Sequence, residues 1–146
     1  MIQSLPEQIV ADMMASDAFS QWLDLKVREV QDGYCRLTME VRSDMVNGFG
    51  VCHGGVTFAM ADSAFAFASN TQGKVSVSID NAIHYPAAVR VGDTLTATAR
   101  QISSSNKLGH YEVNVTNQDD TQVALFRGTV YRTHKVHKAA QTANEG

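Results

Sequence analysis

The stretch from Gly54 to Asn70 constrains this chain most. It contains no Pro, and after Thr57 no β-branched residue; Ala, Met and Phe dominate it. Such a run reads as a helix. Its apolar residues cover every side rather than one stripe, so the helix is expected to be buried all round. It is too short and too interrupted to cross a bilayer. A buried helix needs a wrapping, and the rest of the chain has to supply it.

The remaining patterns are mostly those of strands. Leu25–Val30 and Tyr34–Val41 alternate apolar and polar residues around Asp32-Gly33, a hairpin signature, with Leu37, Met39 and Val41 on one side. After the helix, Thr71-Gln72-Gly73 reads as a stop. Four more strands follow, at Val75–Tyr85, Thr94–Ser104, His110–Asn117 and Val123–His134. Short turns between them predict an antiparallel meander. Pro6–Trp22 reads as an amphipathic helix, with Asp17 placed to break or restart it. Residues 1–134 form one α+β domain in this reading, and the polar, Ala-rich 135–146 is expected to be a flexible tail.

A formal charge of −3, with no basic stripe, argues against a nucleic-acid binder. Met1–Ala15 lacks the pattern of a secretory signal, so the chain is expected to stay in the cytoplasm. Cys35 and Cys52 have neither metal spacing nor a CxxC arrangement. Adjacent Cys52 and His53 are expected to point apart, so they do not read as nucleophile and base. His84, His110, His134 and His137 are scattered without ligand spacing, and no metal site is expected.

Two features of the helix invite chemistry. Asp62 is its one charge, and a buried carboxylate is costly unless it has partners or a task. The simpler reading is a loop cap or a pair with a surface Lys. At the other end, Gly54 and Gly55 leave the free N–H donors of the first turn approachable, a natural site for developing negative charge. Here the simpler reading is an ordinary strand-to-helix turn. Asp62 lies ~12 Å beyond Gly54 along a helix rising ~1.5 Å per residue. One reacting carbon cannot touch both within a subunit. It can do so where two copies of the helix run antiparallel across a two-fold axis.

The stretches Asn47-Gly48, Cys52-His53-Gly54-Gly55 and Ala61-Asp62-Ser63-Ala64-Phe65-Ala66 resemble the hotdog-fold acyl-CoA thioesterases. They are most similar to the small thioesterases of bacterial phenylacetate degradation. The resemblance runs from about Ala18 to Arg132, through Gly92–Ala97 and Val123–Gly128. It implies a long central helix wrapped by an antiparallel sheet of five to six strands. It also implies hydrolysis of acyl-CoA, with arylacetyl groups such as phenylacetyl or hydroxyphenylacetyl as substrates. CoA would enter only as part of the substrate, and no cofactor is implied. The assembly implied is a homo-oligomer, at least a dimer and commonly a tetramer.

Residue by residue, the resemblance makes the Gly54 N–H the oxyanion donor. Asp62 of the other subunit is the general base or the direct nucleophile. Asn47 becomes a polarising or water-positioning group, although Asn also suits a turn. His53 shapes the turn or meets the leaving group. Gly55, Ser63 and Phe65 are candidate substrate contacts, although Phe65 reads more readily as ordinary helix packing. Many relatives carry Arg-Pro near Tyr85-Pro86-Ala87-Ala88, and this chain has no Arg at Ala87 or Ala88; Arg90 and Arg127 are the candidate replacements for holding CoA phosphates. Two other readings stay open: a hotdog hydratase or dehydratase using His53, and a non-catalytic acyl-CoA sensor.

Overall fold

The computed structural model describes residues 3–145. Helix α1 (Leu5–Ser16) begins at Ser4, whose side chain and that of Glu7 cap each other's backbone N–H groups, with Pro6 in the first turn. Asp17 ends α1 and starts α2 (Ala18–Trp22), accepting the Ser20 N–H at 3.0 Å. The Asp17 break read from the sequence is present.

Strands β1 (Lys26–Gln31) and β2 (Tyr34–Glu40) form the expected hairpin around Gly33, which has φ +69°. Cys35, Leu37 and Met39 point inward from β2, and buried Val41 follows them. Helix α3 (Gly54–Asn70) comes next, then β3 (Lys74–His84), β4 (Thr94–Ser104), β5 (Leu108–Thr116) and β6 (Gln122–Val136).

All six strands are antiparallel, in the order β1-β2-β4-β5-β6-β3. The expected four-strand meander is therefore only partly present. β4, β5 and β6 follow one another, but β3 lies beyond β6 at the sheet edge. The cause is the connection 85–93. It returns past the start of α3, held by the Cys52 N–H on Val89 O at 2.8 Å and the Tyr85 O–H on Gly54 O at 2.8 Å. That route delivers β4 to β2 instead of to β3.

The sheet wraps α3. Phe65 stacks edge-on against Tyr111 at 5.8 Å and tilts on Phe126 at 5.4 Å. Gly128 on β6 lets the sheet close here, since a Cβ would fall 2.7 Å from the Phe65 ring. Each large side chain buried in this way contributes about 1.5–3 kcal/mol.

Two further expectations fail. Helix α3 is not buried all round: Gly55, Ala59, Asp62 and Ala66 form an exposed to half-exposed stripe along it. The single chain has more helix surface than its sheet can cover. The C-terminus also differs from the loose tail read from its composition. β6 runs to Val136, and Lys138–Glu145 form helix α4. Ala140 is buried beside Gly73, and the His137 Nε2–H donates to Asn70 Oδ1 at 2.8 Å. These contacts join distant segments, so local composition could not reveal them.

Candidate active site

The site begins at the turn into α3. His53 is the N-cap, in extended conformation (φ −61°, ψ 131°), and its Nδ1 accepts the Gly55 N–H at 2.8 Å. Its carbonyl accepts the Val56 N–H at 2.9 Å. The Gly54 N–H is left without an acceptor among the described residues. The helix dipole adds positive potential at the same point.

Gly54 forms part of the wall of a cavity of about 290 Å³, with Val51, Cys52, Thr57, Tyr85 and the segment 86–89. Tyr85 fixes the turn from below: its hydroxyl donates to Gly54 O at 2.8 Å, and a Cβ on Gly54 would lie 3.3 Å from the phenol. The sequence reading missed Tyr85. It lies 31 residues from Gly54, and nothing local marks the pairing.

The His53 geometry restricts its chemistry. With Nδ1 accepting from Gly55, a neutral ring carries its proton on Nε2. Such a ring presents its Nε2–H as a donor, while the Nδ1 lone pair is used by the cap. Asn47 is likewise largely used by the loop. Its Oδ1 accepts the Phe49 N–H at 2.9 Å and the Val51 N–H at 3.4 Å, which leaves its Nδ2 as the available donor. Its φ is not positive, so side-chain bonding rather than left-handed backbone accounts for Asn here.

Cys52 is no nucleophile. Its thiol is buried, donates to His53 O at 3.6 Å, and is pushed up in pKa by burial. Burial pushes Cys35 up to about 12. Among the described residues no group of His, Cys, Asp and Glu is placed to hold a metal.

Asp62 sits eight residues further on, half-buried in the open stripe. Among the described residues nothing hydrogen-bonds its carboxylate, and no cation pairs with it. Its pKa is raised, first by burial and then by the neighbouring Asp17 carboxylate. Ser63, a possible donor to it in sequence, is engaged elsewhere. Ser63 Oγ lies 2.8 Å from Ser20 Oγ, and Ser20 donates to Asp17 Oδ2 at 2.6 Å. This chain ties α2 to α3 and sets Asp17 near Asp62, a second relation the sequence did not signal.

The other candidates divide clearly. Gly55 is exposed, but a Cβ on it would lie 2.9 Å from His53 Nδ1, so its space is filled by the cap. Phe65 is 1% exposed and packs in the core against Tyr111 and Phe126. Arg127 pairs with Glu112 at 3.3 Å, and Arg90 stands exposed in the turn before β4.

A long helix enclosed by an antiparallel sheet, entered through a capped Gly-Gly turn, defines a class. Residues 49–124 match the Thioesterase superfamily, and the chain belongs to that family as a thioester hydrolase of the hotdog fold. Its relatives sharpen this. It is 38% identical over 82% of its length to the acyl-coenzyme A thioesterase PaaI of Escherichia coli K12, covering 86% of that protein. It is 36% identical over 88% of its length to a putative esterase of Archaeoglobus fulgidus, covering 84% of it. The structure of the E. coli PaaI protein, from the phenylacetic acid degradation operon, superposes with a TM-score of 0.89 and 36% identity, over 90% of this chain and 96% of that one. A Streptococcus mutans protein solved with acetyl CoA matches at a TM-score of 0.74 and 28% identity, over 76% of this chain and 90% of that one. No helix among the described residues is long and apolar enough to cross a membrane.

Proposed function

We propose that the protein hydrolyses acyl-CoA thioesters to the free acid and CoA, with arylacetyl groups such as phenylacetyl or hydroxyphenylacetyl as substrates. One subunit supplies the Gly54 N–H to the thioester carbonyl. Asp62 of the partner subunit takes a proton from water as the water oxygen attacks the carbonyl carbon. The tetrahedral intermediate collapses, the C–S bond breaks, and the thiolate leaves and is protonated. A lost oxyanion donor costs about 10²–10³ in rate, and general-base catalysis contributes about 10²–10⁴.

The observation that carries this reading is Asp62: half-buried, raised in pKa and without a partner among the described residues, on the open stripe of the helix whose first N–H has no acceptor among them. Burial without donors keeps the carboxylate basic, which favours proton abstraction from water. The ~12 Å between Gly54 and Asp62 then calls for a second copy, its α3 antiparallel to the first. A homotetramer working in the cytoplasm fits the same reading. The names of the E. coli and S. mutans relatives support CoA as the thiol, and the operon of the former supports the aryl group. His53, capped through Nδ1, does not favour a hydratase.

The test is thiol release from phenylacetyl-, hydroxyphenylacetyl- and alkanoyl-CoA. Turnover is expected for wild type, with the arylacetyl thioesters preferred, and is abolished in Asp62→Ala. Binding of acyl-CoA without turnover by the wild type would refute the reading in favour of a sensor.

A further inference from the structure

The two glycines that open α3 are not required by the backbone, since neither has a positive φ. Glycine also weakens a helix relative to Ala. What calls for them is space. A Cβ on Gly54 would lie 3.3 Å from the Tyr85 phenol, and one on Gly55 would lie 2.9 Å from His53 Nδ1. Tyr85 and His53 each close up against the helix start where a glycine stands.

Both side chains bond to the same peptide group. The Tyr85 hydroxyl donates to Gly54 O at 2.8 Å, and the N–H of that peptide, on Gly55, donates to His53 Nδ1 at 2.8 Å. A carbonyl in the first turn of a helix already takes the N–H four residues on. Tyr85 uses its second lone pair, so it is an extra donor rather than one the fold needs for satisfaction. A bond to the carbonyl side of an amide polarises its N–H side, and bonds in such chains strengthen one another by about 10–30%. The chain runs from the Tyr85 hydroxyl through the Gly54–Gly55 peptide to His53 Nδ1. It ends on the His53 Nε2–H, which has no acceptor among the described residues. His is also not a preferred N-cap; Ser, Thr, Asp or Asn would hold the Gly55 N–H as well. What His53 adds is a second N–H on the far side of its ring, at an exposed position.

We propose that Tyr85 is a positioning residue: acting through the Gly54–Gly55 peptide, it orients the His53 ring and polarises the Nε2–H as a donor to negative charge developing on the thioester. The role at the thioester rests on the proposed function. The hydrogen-bond chain does not.

Two variants separate the parts. Tyr85→Phe removes the hydroxyl and keeps the ring. His53→Asn keeps a cap for the Gly55 N–H and removes the ring N–H. The first measurement is NMR of the full-length protein carrying isotope-labelled glycine and histidine, without substrate. In Tyr85→Phe the Gly55 amide proton and His53 Nδ1 resonances are expected to move toward their unbonded positions. Unmoved resonances overturn the proposal. The second is a double-mutant cycle on acyl-CoA hydrolysis. Tyr85→Phe is expected to lower kcat about three- to tenfold with KM little changed, and to lower it no further in the His53→Asn background. An equal loss in both backgrounds would show that Tyr85 only braces the turn, and would overturn the proposal. So would an unchanged kcat, or a change confined to KM, which would put the phenol against bound substrate. Absence of wild-type turnover counts against the proposed function alone, because the two resonances still report on the chain of bonds.

Discussion

Along α3, Met60, Ala61, Ala64, Phe65, Phe67 and Ala68 are sealed against the sheet, whereas Gly55, Ala59, Asp62 and Ala66 stay exposed or half-exposed. The sealed side is bulky where it meets Tyr111 and Phe126. The open side is made of small residues and one carboxylate. Small side chains would let a second helix approach closely, and a carboxylate unpaired among the described residues would give that approach a chemical purpose. In the proposed reading one helix divides its labour by side, with stability on one and reaction and assembly on the other. Substitutions on the sealed side should therefore change unfolding free energy, and those on the open side should change turnover.

Phe65→Ala tests the sealed side hardest. Removing this ring is expected to cost about 3–5 kcal/mol of stability, read by chemical denaturation. The folded fraction should keep its kcat; a kcat loss at full folding would return Phe65 to the substrate pocket. The oxyanion end comes next. Gly54→Pro removes the N–H at a helix position that tolerates Pro, while Gly54→Ala keeps it at similar crowding against Tyr85. Their kcat values should differ by about 10²–10³. Equal losses in the two would show that crowding, not the donor, matters.

Smaller effects sharpen the contrast at Asp62. Its folded-state pKa is raised, so the neutral form is the one folding favours. The stability this lends is complete below the unfolded pKa and is lost as pH rises through the folded one. At neutral pH the charge is therefore a burden. Asp62→Asn is expected to stabilise by about 0.5–2 kcal/mol while removing turnover, measured by melting and thiol release together. Smallest is Asp17→Asn. The proposed mechanism needs Asp62 ionised, so activity should fall on acidification. Removing the Asp17 charge should move that acid limb of kcat/KM to lower pH, with the alkaline side unchanged. An unmoved limb would mean that Asp17 does not act on Asp62 in the assembled enzyme.

Much of this was legible along the chain because it is written in local chemistry. The lack of helix breakers between Gly54 and Asn70, the alternation of Cys35, Leu37 and Met39, and the Gly33 turn each act over a few residues. The same holds for the family pattern around His53-Gly54-Gly55 and Asp62. The turn at Asn47 was legible as a turn, although the side-chain bonds that build it were not.

What the amino-acid order determined by itself was the inventory: one long apolar helix, six strand-forming segments, and a carboxylate on the helix one hydrolytic span from a glycine turn. Only the tertiary structure decided that β3 joins β6, that α4 docks on the end of α3, that Phe65 is core, and that Tyr85 and Asp17 stand beside Gly54 and Asp62. It also decided that Tyr85 and His53 bond to the same peptide group. The reason is physical. Periodicity, capping and turn chemistry act between neighbours in the chain, whereas packing and electrostatics depend on distance in space, which exists only once the sheet has closed around the helix.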